Sequence, residues 1–296
     1  MPWYLQPARA ALWLLGLLPL RLLHAVGGGL GLLLGALPGT RESRITRRNL
    51  ELCFPDWSEA ERRSLYWQAF RELGKSLLEL GWIWGRAPAR ALASVRAVEG
   101  AELLDRAIAA GRGVILAVPH LGAWELLNLW VGARTRVHLV YRVPQIAALE
   151  TLLLAVRGRQ GAEQIRADGV GVRTVFRRLA EGRLVGILPD QRPKSGEGVH
   201  APFFGVQTLT MVLVSRLAQR TGAPVVFGFA ERLPRGQGFR VRFLPAPEGI
   251  DDPDPERAVA ALNRGVEACA RAALPQYQWS YKRFSHPPAG DTLPRY

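Results

Sequence analysis

"GVILAVPHLGAWELLNLW", residues 113–130, contains the change of period from which the fold is read. Val114 to Val118 is an unbroken apolar run, the pattern of a short strand buried on both faces, and from Leu121 onward the apolar residues fall at helical spacing. Strand followed by helix recurs along the chain. "VHLVY" (137–141), "LVGILPD" (184–190) and "PVVFGFA" (224–230) are similar short runs, separated by helically periodic stretches such as 145–158 and 172–181. This alternation predicts an α/β fold with a mostly parallel central sheet flanked by helices, whose sites form where strands end and helices begin. "FRVRFLPAP" (239–247) after "GFAERLPRGQG" reads as an antiparallel hairpin, and residues 251–274 as a Pro-punctuated turn before a late helix.

The 296 residues allow one large body with additions, and 39 Lys+Arg against 25 Asp+Glu give a formal charge of +14. That excess favours anionic partners such as phospholipid headgroups, nucleic acid or an acidic carrier protein. Two cysteines, Cys53 and Cys269, support neither a disulfide framework nor a zinc site. Residues 10–37 are apolar except for Arg21 and His24, long enough to span or to lie in a membrane. Pro19, Arg21 and Gly27 to Gly29 admit a kinked, monotopic insertion. Arg41, Arg44, Arg47 and Arg48 follow, which puts the body on the cytoplasmic side. The division expected is an anchor over 1–40 and a body over 41–296. At Ser58, Glu61 stands at capping-box spacing ahead of a long helix.

His120 and Glu125 are the chemistry-bearing pair of the opening stretch. Inside one helix, five residues at about 100° each would leave them about 140° apart, on different faces. If the helix starts near Leu121 with His120 in the loop before it, the imidazole can fold over the first turn toward Glu125, a base meeting its orienting carboxylate. Spacing alone favours the plainer reading, a loop histidine and a separate solvated glutamate.

"HLGAWE" (120–125) resembles the HxxxxD/E motif of glycerolipid acyltransferases, and the wider pattern resembles the lipid A late acyltransferase family. "RRNLELCFPDWSEAER" from Arg47 is similar to that family's Asn-x-x-x-CFP segment, "YRVPQIAALETLLLAVRGRQG" to its Tyr-Arg block, "LPDQRPKSGEGVHAPFFGVQTLT" to its PDQ and FFG-x-x-x-T block, and "PQYQWSYKRF" to its C-terminal signature. These blocks run in order from about Arg47 to Phe284. The resemblance implies transfer of a fatty acyl group from an acyl carrier protein thioester to a hydroxyl of a lipid A precursor at the inner membrane. His120 is then the general base, Glu125 orients it, and no cofactor, metal or nucleic acid takes part. It leaves acyl-coenzyme A as donor, and a lysophospholipid or other glycolipid as acceptor, as alternatives. A basic protein binding membrane surfaces through charge alone is the non-enzymatic alternative.

Arg142 follows the strand "VHLVY", where a phosphate ligand or a solvated strand-end arginine would stand. Arg157 and Arg159 sit at a helix end, where binding substrate and complementing the dipole are both open to them. For Asp190 with Gln191 and Arg192 the family block implies substrate positioning, and a Pro-Asp turn is the plain alternative. Phe203 and Phe204 read as core or acyl-chain pocket and Thr208 as a helix cap or ligand. Trp124, Leu127 and Trp130 read as tunnel wall or core. Arg166, Arg173, Arg177, Arg178, Arg183, Arg192 and Lys194 form a basic region shared between anionic ligands and solvent. His24, His138, His200 and His286 receive no role. Two departures from the family pattern, Tyr281-Lys282 and Ala123, bear on acceptor identity.

Overall fold

A computed structural model describes residues 5–158, 161–193, 197–291 and 296. In chain order the helices are α1 (Gln6–Leu17), α2 (Leu20–Ala36), α3 (Arg41–Cys53), α4 (Glu59–Gly85) and α5 (Pro88–Leu92), then β1 (Val95–Glu99), α6 (Ala101–Ala109), β2 (Val114–Ala117), α7 (Trp124–Gly132), β3 (Val137–Tyr141), α8 (Ala147–Gly158) and β4 (Glu163–Arg166). There follow α9 (Gly169–Ala180), β5 (Leu184–Ile187), β6 (Gly198–Phe203), β7 (Val206–Met211), α10 (Leu213–Thr221), β8 (Val225–Arg232), β9 (Phe239–Pro245) and α11 (Pro255–Ala272).

Seven strands form one sheet in the order β1-β9-β8-β2-β5-β3-β4. Every neighbouring pair is parallel except the hairpin β8–β9, so the mostly parallel sheet is as expected from the alternating pattern. The unbroken apolar runs have a simple cause. Ile115 and Ala117 of β2 enter one hydrophobic core with Val185 and Ile187, while Val114 and Leu116 enter a second with Leu126 and Leu127 of α7. Successive side chains point to opposite faces, and both faces are covered.

Ser58 caps α4 through the expected box, its hydroxyl accepting from the Glu61 amide while the Glu61 carboxylate accepts from the Ser58 amide. Two elements differ from expectation. Residues 203–208 do not begin a helix: β6 and β7 pair as an antiparallel two-stranded sheet, register Phe203 to Val206. The connecting residues Phe204 (φ 48°) and Gly205 (φ 77°) both lie in the left-handed region, as a two-residue turn between twisted strands requires. A phenylalanine there hides the turn from sequence reading. Packing compensates it, with Phe204 against Phe54 and Trp279 and its amide donating to Glu267.

The N-terminal apolar stretch is not one rod. No single helix among the described residues is long and apolar enough to cross a membrane; α1 and α2 meet that test only together and are bent by 115°. The break falls at Leu18–Pro19, and Gly27 to Gly29 lie inside α2. Gly27 and Gly31 permit close helix contact instead: a Cβ at Gly31 would stand 2.0 Å from the Phe70 carbonyl oxygen, and one at Gly74 2.0 Å from that of Gly27. On the outer side Trp13, Leu17, Leu22, Val26, Leu30 and Leu33 remain exposed.

Candidate active site

Proline 119 and Pro189 lie at matching positions after neighbouring strands. Ala117 of β2 pairs with Ile187 of β5, and His120 and Asp190 are each the third residue beyond that pair. The shared run-then-Pro-polar pattern of "VILAVPH" and "LVGILPD" therefore brings these two side chains together at adjacent strand ends. The Asp190 carboxylate, 3% exposed, accepts from His120 twice: from ring Nδ1 at 2.8 Å and from the backbone amide at 2.9 Å. Burial pushes the Asp190 carboxyl up, but the His120 ring and these hydrogen bonds outweigh it and hold the carboxyl below its ordinary value. An ionised carboxylate can only accept, so Nδ1 carries a proton, and in the neutral form of the ring the lone pair is on Nε2.

This corrects the expected pairing with Glu125. The helix begins at Trp124, not near Leu121, and Glu125 enters its first turn buried, facing Arg157. Arg157 Nε lies 3.2 Å from both Glu125 oxygens, its Nη2 closes the pair, and the Trp84 indole donates at 3.3 Å. Five residues of separation thus put the carboxylate on a different partner, and the second carboxylate of the site comes from 70 residues away.

The loop between His120 and α7 is clamped from three sides. Gly122 has φ 59°, and a Cβ there would meet the Ala230 carbonyl oxygen at 2.1 Å, so only glycine fits against the end of β8. Its amide donates to the Gln276 carbonyl and its carbonyl accepts from Arg232. The His120 carbonyl accepts from the Gln278 amide. Gln191 places its amide nitrogen 3.2 Å from His120 Nε2 and donates to the Gln278 side chain.

His120 faces two cavities. A cleft of about 280 Å³ is lined by His120, Trp124, Asn128, Tyr141, Arg142, Leu153, Arg157, Leu188, Gln191 and Arg192, among others. A smaller slot, about 30 Å³, lies between His120, Trp124, Phe70, Leu73, Tyr277 and Trp279. Arginines from three separate segments thus share one wall with the imidazole. Arg142 is exposed and donates to the Arg192 carbonyl, while Arg157 is committed to Glu125.

An imidazole with a buried carboxylate behind it, opening into an arginine-lined cleft at the C-terminal end of a mostly parallel sheet, is the setting in which the whole-chain comparisons take on meaning. The bacterial lipid A biosynthesis acyltransferase family matches residues 4–286. The chain belongs to that family. It is similar to the lipid A biosynthesis lauroyltransferase of Escherichia coli (strain K12), 33% identical over 285 residues covering 94% of this chain and 90% of the relative. The lipid A biosynthesis palmitoleoyltransferase of the same organism is 31% identical over 287 residues, covering 95% and 90%. A phosphatidylinositol mannoside acyltransferase of Mycobacterium tuberculosis (strain ATCC 25618 / H37Rv) is 32% identical over 152 residues, covering 49% and 47%.

Not every block of this lipid A acyltransferase family chain reaches the cleft. Phe203 and Phe204 are 1% and 5% exposed and pack with Phe54, Tyr277, Trp279 and Phe284; they line neither cavity at His120. Thr208 is neither cap nor exposed ligand: it is fully buried in β7 and donates to the Arg283 carbonyl. Arg283 in turn donates to the Leu209 carbonyl and the Thr210 hydroxyl, tying the C-terminal signature to the small sheet. Asn49 of the "RRN" segment completes the clamp, donating to the carbonyls of Trp279 and Tyr281. Tyr281 at the departure point accepts the Arg192 amide through its hydroxyl, and Ala123 donates to the Ala230 carbonyl.

Arg166 pairs with Glu150, Arg178 with Glu163 and Glu181. Arg173, Arg177 and Arg183 are exposed, and Arg159 and Lys194 lie outside the described residues. His138 is buried between the Leu184 carbonyl and Glu163. His24 has a partner that sequence reading missed. It donates to Glu79, which also receives Arg232 at 2.6 Å, and Arg232 reaches Glu72, Ser76 and Gly122. This buried cluster connects α2 and α4 to the loop that carries His120.

Proposed function

We propose that this chain moves a fatty acyl group from an acyl carrier protein thioester to a hydroxyl of a lipid A precursor, with His120 as general base. The observation that carries the reading is the His120–Asp190 pair, whose imidazole borders the arginine-lined cleft. The acceptor hydroxyl gives its proton to Nε2 as its oxygen attacks the thioester carbonyl, forming a tetrahedral intermediate. Asp190 stabilises the imidazolium that results. Collapse expels the thiolate, which takes the proton back from Nε2, so the imidazole ends neutral and no covalent enzyme intermediate is needed. Glu125 acts one step removed: it fixes the Arg157 guanidinium in the cleft wall, where that cation can meet an anionic substrate group.

Arg142 and Arg192 at the exposed side suit the phosphate of an acceptor headgroup or of a carrier-borne thioester. Gln191 suits guidance of the incoming hydroxyl, since its amide already approaches Nε2. Trp124 borders both cavities and suits contact with the acyl chain. No step requires a metal or a resident cofactor. The exposed apolar side chains of α1 and α2, followed by Arg41, Arg44 and Arg47, support these two helices lying in the cytoplasmic face of the inner membrane as a bent, monotopic pair. A glycolipid acceptor with an acyl-coenzyme A donor is the second reading, favoured by the partial similarity to a mannoside acyltransferase.

The test is acyl transfer by detergent-solubilised protein, with carrier protein and coenzyme A thioesters offered against lipid A precursor and lysophospholipid. Product on the lipid A precursor from the carrier thioester, abolished in His120→Ala, is the expected result. Product on the lysophospholipid alone moves the acceptor. Failure of every pair to give His120-dependent product refutes the reading and leaves charge-driven surface binding.

A further inference from the structure

Asn128 stands one turn beyond Trp124 on α7, 3% exposed, with its side chain in the wall of the His120 cleft. Among the described residues neither its carboxamide oxygen nor its nitrogen has a hydrogen-bond partner. Buried polar groups are nearly always paired, because each unpaired one forfeits its hydration. An apolar residue of the same shape would remove that cost. Its helix neighbours Leu126, Leu127 and Leu129 are apolar and buried, and unlike Glu125, the other polar residue of α7, Asn128 has no partner for its polar atoms.

We propose that the Asn128 carboxamide recognises a secondary amide of the bound substrate, an inference that rests on the acyltransferase reading above. A carboxamide offers a coplanar acceptor and donors, the complement of an amide's N–H and C=O, and it satisfies a neutral partner without a net charge. The rest of the lining supplies the other surfaces such a ligand needs. Arg142 and Arg192 form its cationic side, and Leu139, Leu153 and Leu188 its apolar wall. A ligand that carries a phosphate, an apolar chain and an amide fits this set of surfaces. Two sources have that chemistry: the pantetheine arm of the thioester donor, and an amide-linked acyl chain on the acceptor.

Asn128→Leu tests the assignment with matched substrates. The donor pair is the carrier-borne acyl thioester and an acyl thioester of a plain alkanethiol of equal length; the acceptor pair carries its acyl chain through an amide or through an ester. The expected result is a loss of about thirtyfold in kcat/KM, two neutral hydrogen bonds, on the amide-bearing member of one pair only. The pair that loses its preference identifies the source. Melting of the same variant, without substrate, rises by about 2–4 °C as the unpaired group disappears. Asn128→Ala repeats the kinetics with a smaller side chain, and Asn128→Leu, whose side chain is close to that of Asn in shape, is the variant used for melting. Equal losses on both members of each pair, no loss at all, or a fall in the melting temperature of Asn128→Leu overturns the proposal. Wild-type protein inactive on every pair refutes the acyltransferase reading instead, and the melting experiment still judges Asn128.

Discussion

Replacing Asp190 with asparagine separates the carboxylate that holds His120 from the one expected to do so. The carboxylate now accepts from Nδ1 at 2.8 Å and from the His120 amide at 2.9 Å, and both bonds fix the ring and its loop. In Asp190→Asn one of these positions becomes an NH2 group. If the amide oxygen keeps the His120 backbone N–H, the NH2 faces Nδ1, which must then accept. The ring proton moves to Nε2, and the lone pair proposed to take the hydroxyl proton is gone. The imidazolium also loses its counter-charge. For charges about 4 Å apart at an effective dielectric near 20, that interaction is about 4 kcal/mol, or roughly a thousandfold in rate. The expected loss in kcat is therefore roughly 10³ to 10⁴, with the substrate KM nearly unchanged, because the lost interaction belongs to the transition state. Single-turnover acyl transfer across a pH series measures it, with Glu125→Gln beside it. Glu125→Gln loosens Arg157 and should raise KM more than it lowers kcat. An Asp190→Asn enzyme within tenfold of wild type, alongside a thousandfold fall in kcat for Glu125→Gln, would refute the assignment.

Three further outcomes follow from buried groups. Arg232→Met leaves Glu79 buried without its main cation and should destabilise the fold by about 3–5 kcal/mol; calorimetric melting measures this, and adding Glu79→Gln should recover part of the loss. Gly31→Ala places a methyl 2.0 Å from the Phe70 carbonyl oxygen, so α2 must move off α4 at a cost of about 1–3 kcal/mol, read as a lower denaturant midpoint with an unchanged slope. Asp190 and Glu79 are both held below their ordinary carboxyl values, by His120 for the first and by Arg232 and His24 for the second, against the opposing push of burial. Their stabilisation is fully present above the unfolded-state values of about 4 and is lost as pH falls through the lower folded-state values. Denaturation at stepped pH should show a stability decline below about pH 4 that is shallower in Asp190→Asn.

Strand and helix were legible in this chain wherever local physics decided them. "GVILAV", "VHLVY" and "LVGIL" read as buried strands because both sheet faces are covered, and Ser58 with Glu61 marked the start of α4 through a bond between neighbours. The order of motif blocks was enough to indicate the acyltransferase family, and His120 was identified as the candidate base at the strand-to-helix turn. What escaped was partner choice. Glu125 looked like the companion of His120 because it is near in sequence, yet α7 starts three residues later than expected and turns it toward Arg157. Asp190 reaches His120 because β2 and β5 pair in parallel, and nothing in a linear chain reports which strands become neighbours, although the repeated run-Pro-polar pattern was visible. Gly27 and Gly28 of α2 looked like breaks and proved to be points of contact with α4, a difference set by the helix that packs there. Sequence alone determined the central buried strands, the capped start of α4 and which residue types can do the chemistry, since those depend on short-range periodicity and intrinsic reactivity. Tertiary structure alone decided which carboxylate serves the histidine, because hydrogen bonds a few ångströms long join residues that only sheet pairing brings within reach.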